Sequence, residues 1–189
     1  MKSIVGSIEA EYQRYKALGE GAIAQLQEAE LSVPGPGGGN SVAIVVWHVA
    51  GNLASRFTDF LASDGEKSWR QRDEEFASRR VSRQELISKW EHGWDTLFSA
   101  LSDVADERLH DTVTIRDQPL RVYDALHRSL AHVSYHVGQI VCIAKSFRGD
   151  AWRFLSIPPG GSDVYNQQPT LERPVAHATA MNRLASEED

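Results

Sequence analysis

The sequence predicts an all-α domain, a four-helix bundle with a short extended crossover before the last helix. Three observations carry this: four segments of helical apolar periodicity, start and stop signals at their ends, and one short stretch, TVTIRDQPLRV, that alternates like a strand pair.

The first helix is placed at about residues 4–30. It is loosely amphipathic and carries Gly19 and Gly21, which predict a bent or weak middle. The run PGPGGGN, residues 34–40, cannot be regular structure and is a loop. Asn40 or Ser41 then caps a second helix reaching about Ala62, with an apolar stripe of Val42, Val46, Val49, Leu53, Phe57 and Phe60. A long polar connection, SDGEKSWRQRDEEFASRR, follows. Ser82 and Glu85 form a capping box that starts a third helix ending near Ser102. TVTIRDQPLRV reads as a short hairpin or extended crossover with its turn near Asp117, Gln118 and Pro119. The fourth helix runs from about Val122 to Phe147 and stops at Gly149. LSIPPGGSDVYN is irregular and apolar-anchored, which places it on the domain surface. One domain over residues 1–166 and a mobile tail over 167–189 complete the expectation.

Composition narrows the function classes. The chain has 189 residues, enough for one domain with a real core. A formal net charge of −6 argues against nucleic acid or an anionic membrane as partner. No run approaches the length of a membrane span, and no signal-peptide core opens the chain, so the cytosol is the default compartment. Cys142 is the only cysteine, which rules out intrachain disulfides and Cys-rich zinc sites.

The histidines carry the chemistry. His132 and His136 are four apart on the fourth helix, so they lie about 40° apart on one surface. Their row is centred roughly 100° from the apolar stripe of Val122, Leu126, Leu130, Val133, Val137, Ile140 and Ala144, at the border of the core. His48 occupies a matching flank of the second helix, on a polar row with Ser41, Asn52, Ser55 and Asp59. Two such flanks brought together enclose a pocket lined by His48, His132 and His136. Three neutral imidazoles are a good ligand set for a divalent transition metal, with positions left open for water or substrate. Residues 133–135 supply no glutamate, so the HExxH metalloprotease reading is disfavoured. His92, His110, His127 and His177 have no helical partner and read as surface or capping residues. Cys142 reads as a buried small residue, not a nucleophile.

His48 within VVWHVAGN, followed by H-x-x-x-H-x-G-Q-I (His132, His136, Gly138, Gln139, Ile140), resembles the DinB-like superfamily, also called YfiT-like. The finer likeness is to a bacterial branch with stretches similar to WHVAGN, FTDFLASDGEKSWRQRDEEF, TIRDQPLRVYDALHRSLAHVSYHVGQIV and LSIPPGGSDVYN; it covers residues 1–166. The resemblance implies an up-down-down-up four-helix bundle, often a homodimer. It implies a divalent metal (nickel, zinc, or similar such as manganese or iron) held by His48, His132 and His136. Relatives in that superfamily include thiol-dependent transferases and an isomerase, in which the metal activates a thiolate.

The implied function is a metal-dependent enzyme acting on a small molecule, possessing either thiol-dependent transfer or hydrolytic chemistry. A non-catalytic metal-binding or stress-associated interaction module is the alternative. Lacking a HExxH base, the site favours transfer of a thiol, because a metal-bound thiolate needs no base. Asn52, Ser55 and Gln139, one or two turns from the ligands, are candidates to orient them or the substrate. Trp69, Arg70 and Arg72 either meet an anion or pair with Asp73, Glu74 and Glu75.

Overall fold

The computed structural model describes residues 3–186, with side chains described to residue 183. Ser3 accepts a hydrogen bond from the Gly6 amide and starts α1, Ile4–Ala24. The helix runs unbroken through Gly19 and Gly21 but stops six residues short of the expected end; Glu28–Ser32 is a separate 3-10 turn. Ser41 caps α2, Val42–Phe57. This helix also ends early, because Thr58 turns to an extended conformation and Asp59 takes φ 48°, a left-handed value that no α-helix continues through. The Ser82/Glu85 capping box starts α3, Arg83–Ser102, as read from the sequence.

Strands β1, Thr112–Ile115, and β2, Gln118–Arg121, pair antiparallel with Ile115 opposite Gln118. Their two-residue turn is Arg116–Asp117, one step earlier than expected, with φ 55° and 59°. Two consecutive left-handed residues are what a tight hairpin needs to match strand twist. The Asp64 carboxylate accepts from both turn amides, at 2.9 and 2.8 Å, and so ties the polar connection to the hairpin. Chain direction then passes straight into α4, Val122–Arg148, which Gly149 ends at φ 52°.

Among the described residues there are six α-helices and this one two-stranded sheet. Beyond the four long helices lie α5, Ser162–Gln167, and α6, Pro174–Ser186. Where the sequence suggested a mobile tail, α6 packs along α1 and buries His177, Ala178 and Met181. The His177 ring donates to the Leu155 carbonyl at 2.7 Å, so this histidine is a buried brace, not a surface residue. The IPPGG segment lies on the surface, anchored by buried Trp152 and Leu155.

α2 packs on α3 and on α4, while α1 packs on α4 and α6. Trp90 and Trp94 of α3 and Tyr12 of α1 fill the middle, and the Tyr12 hydroxyl donates to the Leu126 carbonyl at 2.9 Å. Gly93 lets α3 approach α2 closely: a Cβ there would sit 2.6 Å from the Ala50 Cα. Every residue of the α2 stripe is buried, as is that of α4 apart from half-buried Leu130. Cys142, expected inside, is exposed. It stands nine residues from Val133, half a turn round the helix at about 100° per residue, and so faces away from the core. No helix is long and apolar enough to cross a membrane among the described residues.

Candidate metal centre

His48 projects from the middle of α2, and His132 and His136 from the middle of α4, where the two helices pack together. Their ligand nitrogens all lie within 4.8 Å of one another, close enough to hold one metal ion. His48 is only 5% exposed, so its polar flank is in fact sealed; His132 and His136 are half-buried. The ring centroids are 4.5 to 5.1 Å apart, with the planes steeply inclined.

The separation of two nitrogens tests the fit. At metal–nitrogen distances of about 2.0–2.1 Å, octahedral to tetrahedral angles span roughly 2.9–3.4 Å between ligands. His48 Nε2 and His132 Nε2 are 3.1 Å apart. Between neutral rings the same separation is that of a hydrogen bond, His132 donating to the lone pair on His48 Nε2.

That lone pair is fixed by a neighbour the sequence reading did not select. His48 Nδ1 donates to Glu75 Oε2 at 2.8 Å. An ionised carboxylate can only accept, so the proton of His48 is held on Nδ1 and its Nε2 is left free to ligate. Burial alone would push the Glu75 carboxyl up; hydrogen bonds from His48 and Arg70, with the Arg70 charge, outweigh it and hold the group below its ordinary value. Arg70 grips Glu75 with two bonds, Nε to Oε1 at 2.8 Å and Nη2 to Oε2 at 2.9 Å. Its own side chain is 2% exposed. Arg70 therefore pairs internally, as one of its two sequence readings expected.

Glu75 reaches this position on a 3-10 turn, Asp73–Phe76, that lies against α2. Gly51, one turn after His48, makes the room: a Cβ there would collide with the Glu75 carboxylate. The glycine inside WHVAGN was the signal available in the sequence, since glycine is costly within a helix unless something must come close. The next residue, Phe76, lays its ring against His48 at 4.7 Å, and Arg72 stacks over Phe76.

His136 Nδ1 donates to Gln139 Oε1 at 3.1 Å, which fixes the orientation of this ring. His132 Nδ1 is buried without a hydrogen-bond partner, leaving this ring the one unbraced member of the three. Burial and the neighbouring His136 and His48 push the His132 pKa down to about 3, and burial first among causes lowers that of His136. Both rings are thus neutral at cellular pH, the form that binds metals.

Asn52 lines a cleft beside His48 and His132. Ser55 does not reach the histidines. Its hydroxyl donates to the Gly65 carbonyl at 2.8 Å and accepts from the Lys67 amide at 3.2 Å, pinning the polar connection to α2. Asn52 and Ser55, four and seven residues after His48, share its face of α2, but Ser55 lies about 10 Å further along the axis, where the connection and not the histidines meets it. His92, His110 and His127 are exposed and take no part.

A sequence profile of the family described as "Protein of unknown function (DUF1572)" matches residues 2–161. The chain belongs to this family. The matched span takes in all three histidines, Glu75, Gln139 and the hairpin, and ends before α6. No curated protein and no solved structure gives a significant match.

Proposed function

We propose that this DUF1572 protein is a metal-dependent enzyme of the DinB-like kind, built on a four-helix bundle of α1 to α4. His48, His132 and His136 hold a divalent transition metal such as nickel, zinc, manganese or iron, and the substrate is a small molecule. The observation that carries the reading is the brace behind the ligands: His48 to Glu75 to Arg70 on one side, His136 to Gln139 on the other. Such braces raise ligand basicity and fix ring orientation, as they do behind metal-bound histidines.

A divalent ion at this place supplies a Lewis acid that makes a weak nucleophile reactive near neutral pH. The chain's own residues do the rest. Glu75 keeps the His48 proton on Nδ1, Arg70 keeps Glu75 ionised and in place, and Gln139 does for His136 what Glu75 does for His48. Phe76 and Phe57 keep the walls apolar, which lowers the local dielectric around the ligands. Among the described residues only three side chains converge on the centre, and a cleft of about 250 Å³ opens beside it. Three ligands beside an open cleft support an enzyme over a structural metal module, which would close the fourth position with protein. With no carboxylate on residues 133–135, transfer of a thiol group is the reaction the residues favour over hydrolysis.

The test is thermal. A ligand that binds only the folded form at 100 times its Kd stabilises it by about 2.7 kcal/mol. Saturating nickel or zinc is expected to raise the Tm of the wild type by several degrees and to leave His48→Ala unmoved. An equal rise in both proteins would sink the assignment.

A further inference from the structure

The cleft beside the histidines is lined by five arginines, Arg56, Arg70, Arg72, Arg116 and Arg128, and by no acidic side chain. In a chain with a net charge of −6 this concentration of positive charge is local and needs an account. The nearby carboxylates do not balance it. Glu75 is committed to Arg70 and His48. Glu66 is shared by Arg56 and Arg116, at 3.0 Å each, and lies 3.9 Å from Arg70. Asp73, 3.5 Å from Arg72, is fully exposed and screened by water. Arg128 is exposed and makes no hydrogen bond or ion pair with any described residue.

Helical spacing gives the cleft a direction. Asn52 and Arg56 follow His48 at steps of four on α2, and Arg128 precedes His132 by four on α4. At about 1.5 Å rise per residue, Arg128 lies roughly 6 Å along the groove from His132, and Arg56 roughly 12 Å from His48. Phe57, Phe60 and Ile115 supply apolar lining to the same cleft. A volume of about 250 Å³ falls just below the range of drug-sized sites, ~300–1,000 Å³, which suits a metabolite-sized molecule.

We propose that this cleft recognises the oxyanion group, carboxylate or phosphate, of a small substrate whose other end reaches the three histidines. Arg128, with no internal partner, is the guanidinium free to close on it; Arg116, half-exposed and held to Glu66 through Nε, can add its terminal nitrogens, while Arg56 and Arg70 set the background charge. Guanidinium forks suit both oxyanions, and a one-signed cleft with apolar walls raises the local concentration of anions. The inference that the far end meets a metal rests on the preceding reading, but the oxyanion site does not depend on it.

Two titrations separate these claims. Cobalt-loaded protein is titrated with 3-mercaptopropionate and with 3-mercaptopropan-1-ol, reading the thiolate-to-cobalt charge-transfer band. The carboxylate is expected to bind at least tenfold tighter, Arg128→Ala to cut that preference at least fivefold, and Arg128→Glu to abolish it, with the neutral thiol unaffected. Equal affinities in the wild type, or a preference that survives Arg128→Glu, would overturn the proposal. If neither thiol gives a band, thiolate ligation at the metal fails and the oxyanion site is decided by calorimetry of metal-free protein with inorganic phosphate. Binding weakened at least fivefold by Arg128→Glu supports it; no binding, or binding indifferent to the variant, rejects it.

Discussion

Glu75→Gln isolates the carboxylate behind His48. The substitution keeps volume and one acceptor oxygen but removes the charge. In the wild type the His48 Nδ1 bond to Glu75 is 2.8 Å long and lies in a residue 7% exposed, so it is a buried, charge-assisted hydrogen bond. Losing such support behind a metal-bound histidine typically costs 10–100-fold in metal affinity, about 1.4–2.7 kcal/mol. The Arg70 fork is also weakened, so the Tm should fall; at roughly 2–4 °C per kcal/mol in a chain of this size, a few degrees are expected. The assay is competition for zinc or nickel against a chelator of known affinity, with circular dichroism to confirm that the helices remain. Glu75→Gln binding metal within twofold of wild type would refute the claim that Glu75 sets the proton position of His48.

Three further variants probe the same construction. Gly51→Ala should weaken metal binding by crowding Glu75, and chemical denaturation should show no stabilisation, although helix propensity alone favours alanine by about 1 kcal/mol. Ser55→Ala should cost about 1–2 kcal/mol in chemical denaturation, because two buried bonds to the connection are lost, while metal affinity stays unchanged. For acid sensitivity, backbone amides of Glu66, Asp117 and Arg116 hold the Asp64 carboxyl below its ordinary 3.8. The folded state therefore favours ionised Asp64, so its contribution is present above about pH 4 and is lost as pH falls through the lowered value. A carboxyl titration by NMR should give a midpoint below 3.8, and Asp64→Ala should speed hydrogen exchange at the Arg116 and Asp117 amides; normal exchange in that variant would reject the brace.

The parts of the fold legible in the sequence are those governed by local rules. The apolar stripes of α2 and α4, the Ser41 cap and the Ser82/Glu85 box each depend on residues within a few positions of one another. The histidine cluster was legible because helical spacing puts His132 beside His136, and a matching flank offered His48. What escaped was set by tertiary contact. Glu75 is one of three consecutive acidic residues in an aperiodic connection, and only the packing of its turn on Gly51 and Arg70 distinguishes it from Asp73 and Glu74. α6 looked like a polar tail because its buried positions, His177, Ala178 and Met181, include one polar and one small side chain; Pro174 at its first position was the available start signal. Cys142 is exposed although cysteine is among the most often buried residue types, because its place on α4 lies half a turn from Val133.

The central claim is tested most directly by the metal content of the purified protein. After growth with supplementary nickel or zinc and gel filtration, elemental analysis should find about one divalent transition metal per wild-type chain and almost none in a folded His132→Ala variant. A wild type that carries no metal, or a variant that carries as much as the wild type, would contradict the account.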